Sequence, residues 1–302
     1  MEKYYDILSD CTLCPRNCHA DRRSGIHGYC GMDGTIRAAR AALHMWEEPC
    51  ISGKKGSGAV FFTGCGLRCC YCQNREIAIG DSGKEISVSR LSRIFLELEQ
   101  KGAANINLVT GTHYVPQIVH ALEMAKTDGL SIPVVYNSSG YEKKETVHML
   151  DGLIDVYLPD LKYLDENLAQ SFSHAPDYPV IAKQAIKEMV RQTGECIFGE
   201  DGYIKKGTIV RHLILPGHTR NSIQVLDYLH KTYGNTIYIS IMNQYTPVWH
   251  QEKYPELNRR VTGREYEKVL NAALEIGIEN GFFQEGETSK ESFIPAFDYE
   301  GI

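Results

Sequence analysis

The stretch FTGCGLRCCYCQN, residues 62–74, decides the fold because it joins a predicted strand to a dense group of cysteines. Residues 59–63 form an apolar run rich in aromatic and β-branched side chains, which predicts a buried strand. Cys65, Cys69 and Cys72 follow it directly with the spacing C-x3-C-x2-C. Loops at the carboxyl ends of strands are where α/β folds place chemistry. The sequence therefore predicts three thiolates gathered in a tight loop at the edge of a sheet.

The spacing of these three cysteines favours an iron–sulfur centre. Such clusters are held by cysteine thiolates, and three thiolates leave one iron of a [4Fe–4S] cluster without a protein ligand. An open metal position is typical of a catalytic site rather than a structural one. The alternatives are a zinc site, which usually has four ligands and paired C-x2-C elements, and inert buried thiols. Cys70 lies between the predicted ligands, and we expect it to act as a small buried hydrophobic residue.

Beyond this loop, short apolar runs alternate with stretches of helical periodicity. The predicted strands cover residues 59–63, 105–109, 133–136, 154–158, 208–215 and 237–241. The predicted helices cover residues 88–100, 115–126, 143–150, 179–192, 222–233 and 265–278. Such alternation predicts an α/β fold with a parallel sheet. Six units are too few for the closed eight-stranded barrel, so an open doubly wound sheet and an incomplete barrel are both compatible with the pattern.

A second group of cysteines lies near the start of the chain. Residues 1–50 hold few apolar side chains, so we expect a segment stapled by a metal and distinct from a domain spanning residues 51–302. Four of its cysteines, the candidate metal ligands, are Cys11, Cys14, Cys18 and Cys30. Four thiolates suit structural zinc or a fully ligated auxiliary iron–sulfur cluster, and a segment without metal is the third alternative. Arg16, Arg22 and Arg23 beside them are expected to be solvated surface charges.

Composition narrows the set of partners. The 302 residues are 43% hydrophobic and 23% charged, and the formal net charge of −6 disfavours a nucleic-acid partner. No apolar run approaches the ~18 residues of a membrane span, and residues 1–6 lack the apolar core of a signal peptide. We therefore expect a cytoplasmic protein without membrane contact. In a reducing compartment, clustered cysteines indicate metal ligands before disulfides.

The cysteine loop resembles a known signature. Cys65, Cys69 and Cys72, with the aromatic Tyr71 before the last cysteine, resemble the motif of radical S-adenosylmethionine (SAM) enzymes. The following Gln73 and Asn74 are similar to the C-x-N continuation of glycyl-radical-enzyme activases such as pyruvate formate-lyase activating enzyme. The wider text resembles uncharacterised activase-like radical SAM proteins in these strings: CTLCPRNC (11–18), EEPCISG (47–53), NINLVTGTHY (105–114), YNSSGY (136–141), LPDLKY (158–163), VRHLILPG (210–217) and IMNQYTP (241–247).

This resemblance implies a partial (β/α)6 TIM-type barrel with a C-terminal extension. It also implies that SAM binds the open iron and is cleaved by the reduced cluster to methionine and a 5′-deoxyadenosyl radical, which abstracts hydrogen from a substrate. The implied partners are an electron donor such as flavodoxin or ferredoxin and a protein substrate, for example a glycyl radical enzyme. Modification of another peptide or a small molecule is the alternative reaction. A non-catalytic iron–sulfur electron carrier and a zinc-stapled binding module are the competing classes.

The resemblance also marks residues at the strand ends as cofactor-binding. Tyr71 belongs to the signature itself, and Gly111 and Thr112 occupy the position of a glycine-rich motif that binds the methionine amino group. Only one glycine fits here and the acidic residue of that motif is missing, but backbone carbonyls can serve without a particular side chain. Asn137 ends the third predicted strand within reach of the cofactor; the alternative is a plain turn residue.

Two further strands carry charged candidates. Asp160 and Lys162 resemble the D-x-K element of the activases, and residues i and i+2 of a strand share one face, so both can point into one cleft. A surface ion pair is the alternative. Arg211 and His212 are consecutive in the fifth predicted strand, so only one of them can face the barrel interior. We predict that Arg211 binds the cofactor.

Overall fold

The strands of this chain form one sheet that contains both parallel and antiparallel pairs. Most of its longer strands match the strands predicted from the sequence. The computed structural model describes residues 5–80, 82–283 and 295–302. Its strands are β1 (Ile36–His44), β2 (Ser57–Phe62), β3 (Lys84–Ile86), β4 (Ile106–Val109), β5 (Val134–Ser138), β6 (Val156–Pro159), β7 (Ile197–Phe198), β8 (Ile204–Leu213), β9 (Tyr238–Met242) and β10 (Gly281–Phe283). Their order is β10-β9-β8-β6-β5-β4-β2-β1-β3, with β7 paired to β8, so the sheet does not close on itself.

Helices alternate with the strands and cover the sheet. They are α1 (Arg75–Ala78), α2 (Val88–Gln100), α3 (Val115–Thr127), α4 (Lys144–His148), α5 (Glu166–Ser173), α6 (Tyr178–Thr193), α7 (Thr219–Tyr233) and α8 (Gly263–Ile276). In α2, Leu91, Ile94, Phe95 and Leu98 recur at helical spacing and are all buried. None of the helices in the described part of the chain has both the length and the hydropathy that crossing a bilayer requires.

The parallel strands bring their carboxyl ends to one edge of the sheet. β2 pairs with β4, β4 with β5, β5 with β6, β6 with β8, and β8 with β9, all in parallel. Every residue of β2, β4, β5 and β6 is buried, as expected where helices cover a parallel sheet. The predicted α/β alternation is therefore confirmed, and the loops that follow these strands converge on a single region.

Strand β1 was not predicted. It lies inside the cysteine-rich first 50 residues and pairs antiparallel with β2, so that part of this segment belongs to the sheet. Ala38, Ala39, Ala41 and Ala42 make up much of it, and alanine has low strand propensity and gives no clear alternation. The last described residues, 295–302, cover β1, where Arg40 pairs with Asp298 and Glu300. The domain boundary at residue 50 stays a prediction.

Candidate active site

The loop after β2 owes its path to a glycine and to hydrogen bonds from the N-terminal segment. Gly64 has φ of +92°, and a Cβ there would lie 2.4 Å from the side chain of Met32 and 3.0 Å from the carbonyl oxygen of Cys30. The backbone amide of Cys65 donates to that same carbonyl at 3.3 Å, and the amide of Cys70 donates to the carbonyl of Phe172 at 2.8 Å. The loop is thus held between the N-terminal segment and α5.

Cys65, Cys69 and Cys72 line one cavity of about 190 Å³ at the carboxyl edge of the sheet. Loss of hydration raises the pKa of Cys69 and raises that of Cys72 to about 12, so a bound metal is what would deprotonate these thiols. Within the described ranges, no three cysteine sulfurs lie within 4.8 Å of one another. Two sulfurs on one zinc at about 2.3 Å lie at most about 4.6 Å apart, so this set suits separate irons of a cluster better than one ion.

The cavity also contains a compact ion network on β6 and β8. Lys162 Nζ lies 2.6 Å from Asp160 Oδ2, and Arg211 Nε lies 3.3 Å from Asp160 Oδ1. The other end of Arg211 donates to Glu47 Oε2 at 2.9 Å and to Asn137 Oδ1 at 2.7 Å. Burial disfavours the charged form of Asp160, but Lys162 and Arg211 outweigh it and hold the pKa of that carboxyl below its usual value. Two cations are thus matched by two carboxylates at the carboxyl edge of the sheet.

Arg211 faces the cavity and His212 faces the opposite side. His212 Nδ1 lies 2.7 Å from the carbonyl oxygen of Leu161, and its Nε2 lies 2.9 Å from Ser222 Oγ in α7. Burial lowers the pKa of His212 to about 4, so it is a neutral packing residue. A parallel bridge joins the backbones of Asp160 and Arg211 and fixes their two side chains on one side of the sheet.

Three of the four remaining predicted residues line one of two cavities. Asn137 and Tyr71 line the main cavity together with Thr110, which has φ of +60°. Thr112 instead lines a smaller cavity shared with Cys65 and the N-terminal cysteines, and its hydroxyl donates to the buried Glu142 at 2.6 Å. Gly111 packs where a Cβ would lie 2.6 Å from a methyl carbon of Ile118. Thr110 lines both cavities, whereas Thr112 lines only the smaller one.

A hydroxyl relay that the sequence did not reveal supports Cys69. The hydroxyl of Tyr71 lies 2.6 Å from that of Tyr163, which lies 3.0 Å from Ser173 Oγ. Ser173 in turn donates to Cys69 Sγ at 3.1 Å. Ser173 and Cys69 are 104 positions apart in the chain, so no local pattern announces this contact.

The N-terminal cysteines surround a buried arginine. Cys11, Cys14 and Cys30 are buried, and the Arg22 Nη1 lies 3.7 Å from Cys11 Sγ. Arg22 is 1% exposed and donates to the carbonyls of His113, Met32 and Asp33. Among the described residues, no carboxylate forms an ion pair with it. Ionised thiolates are therefore the local negative charge that could balance this guanidinium.

The expectation of solvated arginines is wrong for two of the three. Arg22 is buried, as described above, because its neighbours are cysteines and carbonyl oxygens rather than water. Arg16 is half-buried, donates to the carbonyls of Gly66 and Ser173 at 2.8 and 2.9 Å, and lies over the ring of Tyr29. Arg23 is exposed, as expected. The N-terminal segment is thus anchored on the cysteine loop.

Comparisons with known proteins identify the class. The Radical SAM superfamily model matches residues 59–229, more than half of the chain, and the chain belongs to this superfamily. A relative in Methanocaldococcus jannaschii, Uncharacterized protein MJ0674, is 27% identical over 276 residues, covering 89% of this chain and 75% of that protein.

Solved structures agree on the fold. SuiB of Streptococcus suis, solved bound to S-adenosylmethionine, superposes with a TM-score of 0.51 at 17% identity, covering 74% of this chain and 48% of that one. HydG, a maturase of the [FeFe]-hydrogenase, gives a TM-score of 0.51 at 15% identity, covering 75% of this chain and 51% of that one. The chain spans about half the length of these two proteins. The predicted radical SAM partial barrel is confirmed, and membership in the superfamily implies a [4Fe–4S] cluster and SAM.

Proposed function

We propose that this protein is a radical SAM enzyme that activates a glycyl radical enzyme, with Cys65, Cys69 and Cys72 as the cluster ligands. When bound, the reduced cluster and SAM supply a 5′-deoxyadenosyl radical that abstracts a hydrogen atom from the substrate. The observation that carries the proposal is that these three cysteines share one cavity with the Asp160–Lys162–Arg211 network. An electron carrier with no substrate would not need such a network beside its cluster.

The charges of the cavity match those of SAM. SAM carries an amino group, a carboxylate and a sulfonium. Lys162 and Arg211 are the cations available to the carboxylate, and Asp160 is the anion available to the amino group or the sulfonium. Asn137 adds an amide to the same wall, and Tyr71 closes it from the side of the cysteine loop.

We assign a supporting role to the loop after β4. Gly111 and Thr112 shape the segment that follows the strand, and its backbone carbonyls are the acceptors proposed for the methionine amino group. Thr110 is the residue of this segment that lines the main cavity. The Thr112 hydroxyl donates a hydrogen bond to the carboxylate of Glu142, and this contact keeps the segment in place.

We further infer that Cys11, Cys14, Cys18 and Cys30 hold an auxiliary iron–sulfur cluster rather than zinc. Two findings support this: the sulfurs are spread more widely than one zinc ion allows, and a buried guanidinium, Arg22, stands beside them without a carboxylate among the described residues. A fully ligated cluster would carry the compensating negative charge. The segment would then be a metal-stapled unit docked on the cysteine loop.

The activase reaction rests on Gln73 and Asn74, which continue the motif as in the activases and line the cofactor cavity. A flavodoxin or ferredoxin would supply the electron. The test is electron paramagnetic resonance of the reduced, SAM-loaded protein mixed with a glycyl radical enzyme from the same organism. A stable glycyl radical that requires both proteins supports the proposal. Steady release of 5′-deoxyadenosine without any protein radical would favour modification of another peptide or a small molecule.

A further inference from the structure

A second cavity, of about 340 Å³, adjoins the cofactor cavity. Asn74, Asn137, Arg211 and Met242 line both, so a molecule in the second cavity lies beside whatever occupies the first. The end of β1 and the EEPC segment that follows it (residues 47–50) also line this second cavity. EEPC belongs to one of the strings that resemble the activase-like proteins, and no role has been assigned to it above. Its volume lies within the range of small-molecule sites.

The charges on this wall do not balance. Glu47 is fully engaged: one oxygen accepts from Arg211 at 2.9 Å, and the other accepts from Asn107 at 3.0 Å and Asn137 at 3.2 Å. Asp160 takes Lys162 and the other side of Arg211, as described above. Glu48 forms no ion pair within the described ranges: it is 8% exposed, Ser240 hydrogen-bonds its carboxyl, and its Oε2 has no hydrogen-bond partner among the described residues. A buried acceptor without a donor is costly unless a ligand completes it.

Other groups on the wall point to the same kind of ligand. Asn74 Oδ1 is a second buried acceptor without a partner in the described part of the chain. Burial, with Arg211 and Arg40 nearby, lowers the pKa of His44 to about 4, so His44 adds no competing cation. Burial, and Glu47 beside it, raise the pKa of Glu48 against the pull of Arg211, as expected of a carboxyl that lacks a full counter-charge.

Four aromatic side chains also line the cavity. They are Trp46, Phe61, Phe282 and Phe283. Aromatic faces attract cations and also cover apolar groups. The cavity thus combines unpaired acceptor atoms with aromatic surfaces.

We propose that this cavity binds the substrate of the enzyme, that the substrate carries a primary ammonium group on an apolar body, and that Glu48 anchors that ammonium. This inference rests on the radical chemistry of the proposed function, because it makes the second cavity the place where hydrogen abstraction occurs. On a glycyl radical enzyme the ammonium would be a lysine side chain beside the reacting glycine, and on a small-molecule substrate it would be a free amine. A free amine and a lysine side chain present the same ammonium chemistry, and the test separates them.

The experiment uses calorimetric titration of the reconstituted, SAM-loaded protein with three probes of one shape: 4-phenylbutylamine, 4-phenyl-1-butanol and 4-phenylbutyrate. A blocked lysine derivative is titrated alongside. Tighter binding of 4-phenylbutylamine indicates a free amine as the natural ligand, and tighter binding of the lysine derivative indicates a lysine side chain. The wild-type protein should bind an ammonium probe at least about tenfold more tightly than the alcohol, the strength of one charge-assisted hydrogen bond. Glu48→Gln should remove that preference and leave the affinity for the alcohol unchanged. The matched control, Glu145→Gln at an exposed position of α4, should behave as wild type.

Equal binding of amine and alcohol, preference for the carboxylate, or an undiminished amine preference in Glu48→Gln would overturn the inference. If Glu48→Gln does not fold, titration of the wild-type protein with the three probes alone decides whether the cavity prefers an ammonium group. Cleavage of SAM, measured in the same preparation without any probe, is the independent readout of the proposed function. SAM cleavage without amine preference refutes only the substrate class, and amine preference without SAM cleavage refutes only the radical chemistry.

Discussion

Lys162 Nζ lies 2.6 Å from Asp160 Oδ2, and the side chains of both residues are 15% exposed. The pair faces the cavity that the three loop cysteines line, and Arg211 joins it from the neighbouring strand. Because each carboxylate oxygen of Asp160 faces a cation, Lys162 and Arg211, rather than water, stabilise the ionised form of Asp160. This relationship places a fixed, matched set of charges where SAM is proposed to bind.

Asp160→Asn should weaken SAM binding at least about tenfold, because a hydrogen bond to a charged group contributes about 1.5–3 kcal/mol. The shape is kept and only the charge is removed, so cluster absorbance should be unchanged. SAM affinity and cluster content are measured on the same anaerobic preparation. Asp128→Asn, at an exposed position after α3, is the control. Unchanged SAM affinity in Asp160→Asn would make Asp160 a structural partner of Lys162 only.

Changing Cys14 and Cys18 together to Ser should lower the iron content to that of the one cluster proposed at Cys65, Cys69 and Cys72, and should lower stability. A structural centre absent from the unfolded chain contributes its binding free energy to folding. Metal analysis of wild type and variant checks the first part, and a denaturant midpoint checks the second. Zinc in the wild type, or an unchanged metal content in the double variant, would reject the auxiliary cluster.

Arg22→Met should destabilise the protein by about 1–3 kcal/mol, whereas Arg23→Met should have little effect. Arg22 is buried and bonds three backbone carbonyls, and losing these donors leaves buried acceptors unpaired. Its neighbour Arg23 is exposed. Denaturant midpoints of the two variants provide the comparison. Equal small effects would show that Arg22 is as weakly engaged as a surface arginine.

Glu142 predicts a pH dependence of stability. Burial raises the pKa of its carboxyl from 4.5 to about 7, so between these values the folded protein holds a proton that the unfolded chain has released. Stability should therefore fall as pH rises through this window, by about 3 kcal/mol in all. Glu142→Gln should abolish this part of the decline in stability. At a pH above this window the variant should be more stable than the wild type.

Urea midpoints at about pH 5 and about pH 8 measure this difference. Glu145→Gln, an exposed neighbour, should keep the slope of the wild type. Parallel slopes for wild type and Glu142→Gln would mean that Glu142 is ionised in the folded protein.

Individual elements show which parts of the fold could be predicted from the sequence. The strand at 59–63 and the helix at 88–100 were predictable because apolar, β-branched runs and helical spacing act locally. Strand β1 was not, because its alanines fit a sheet only through pairing with β2. The placement of Asp160 and Lys162 in one cleft followed from strand alternation.

Long-range partners could not be predicted in this way. Glu47 meets Arg211 across 164 positions, and Arg22 meets the carbonyl of His113 across 91. Such contacts arise from the order of strands in the sheet, which no local pattern encodes. Glu47, Glu48 and Ser173 were therefore missed, although EEPC stood out as a string.

The most direct test of the radical SAM assignment is the formation of 5′-deoxyadenosine. The anaerobically reconstituted protein is incubated with SAM and a strong reductant, and the products are separated by chromatography. Wild-type protein should release 5′-deoxyadenosine and methionine slowly even without substrate. The variant with Cys65, Cys69 and Cys72 changed to Ala should release neither and should lack the cluster absorbance. Retained cleavage in that variant, or a wild type with a full, reducible cluster that binds SAM and never cleaves it, would contradict the assignment.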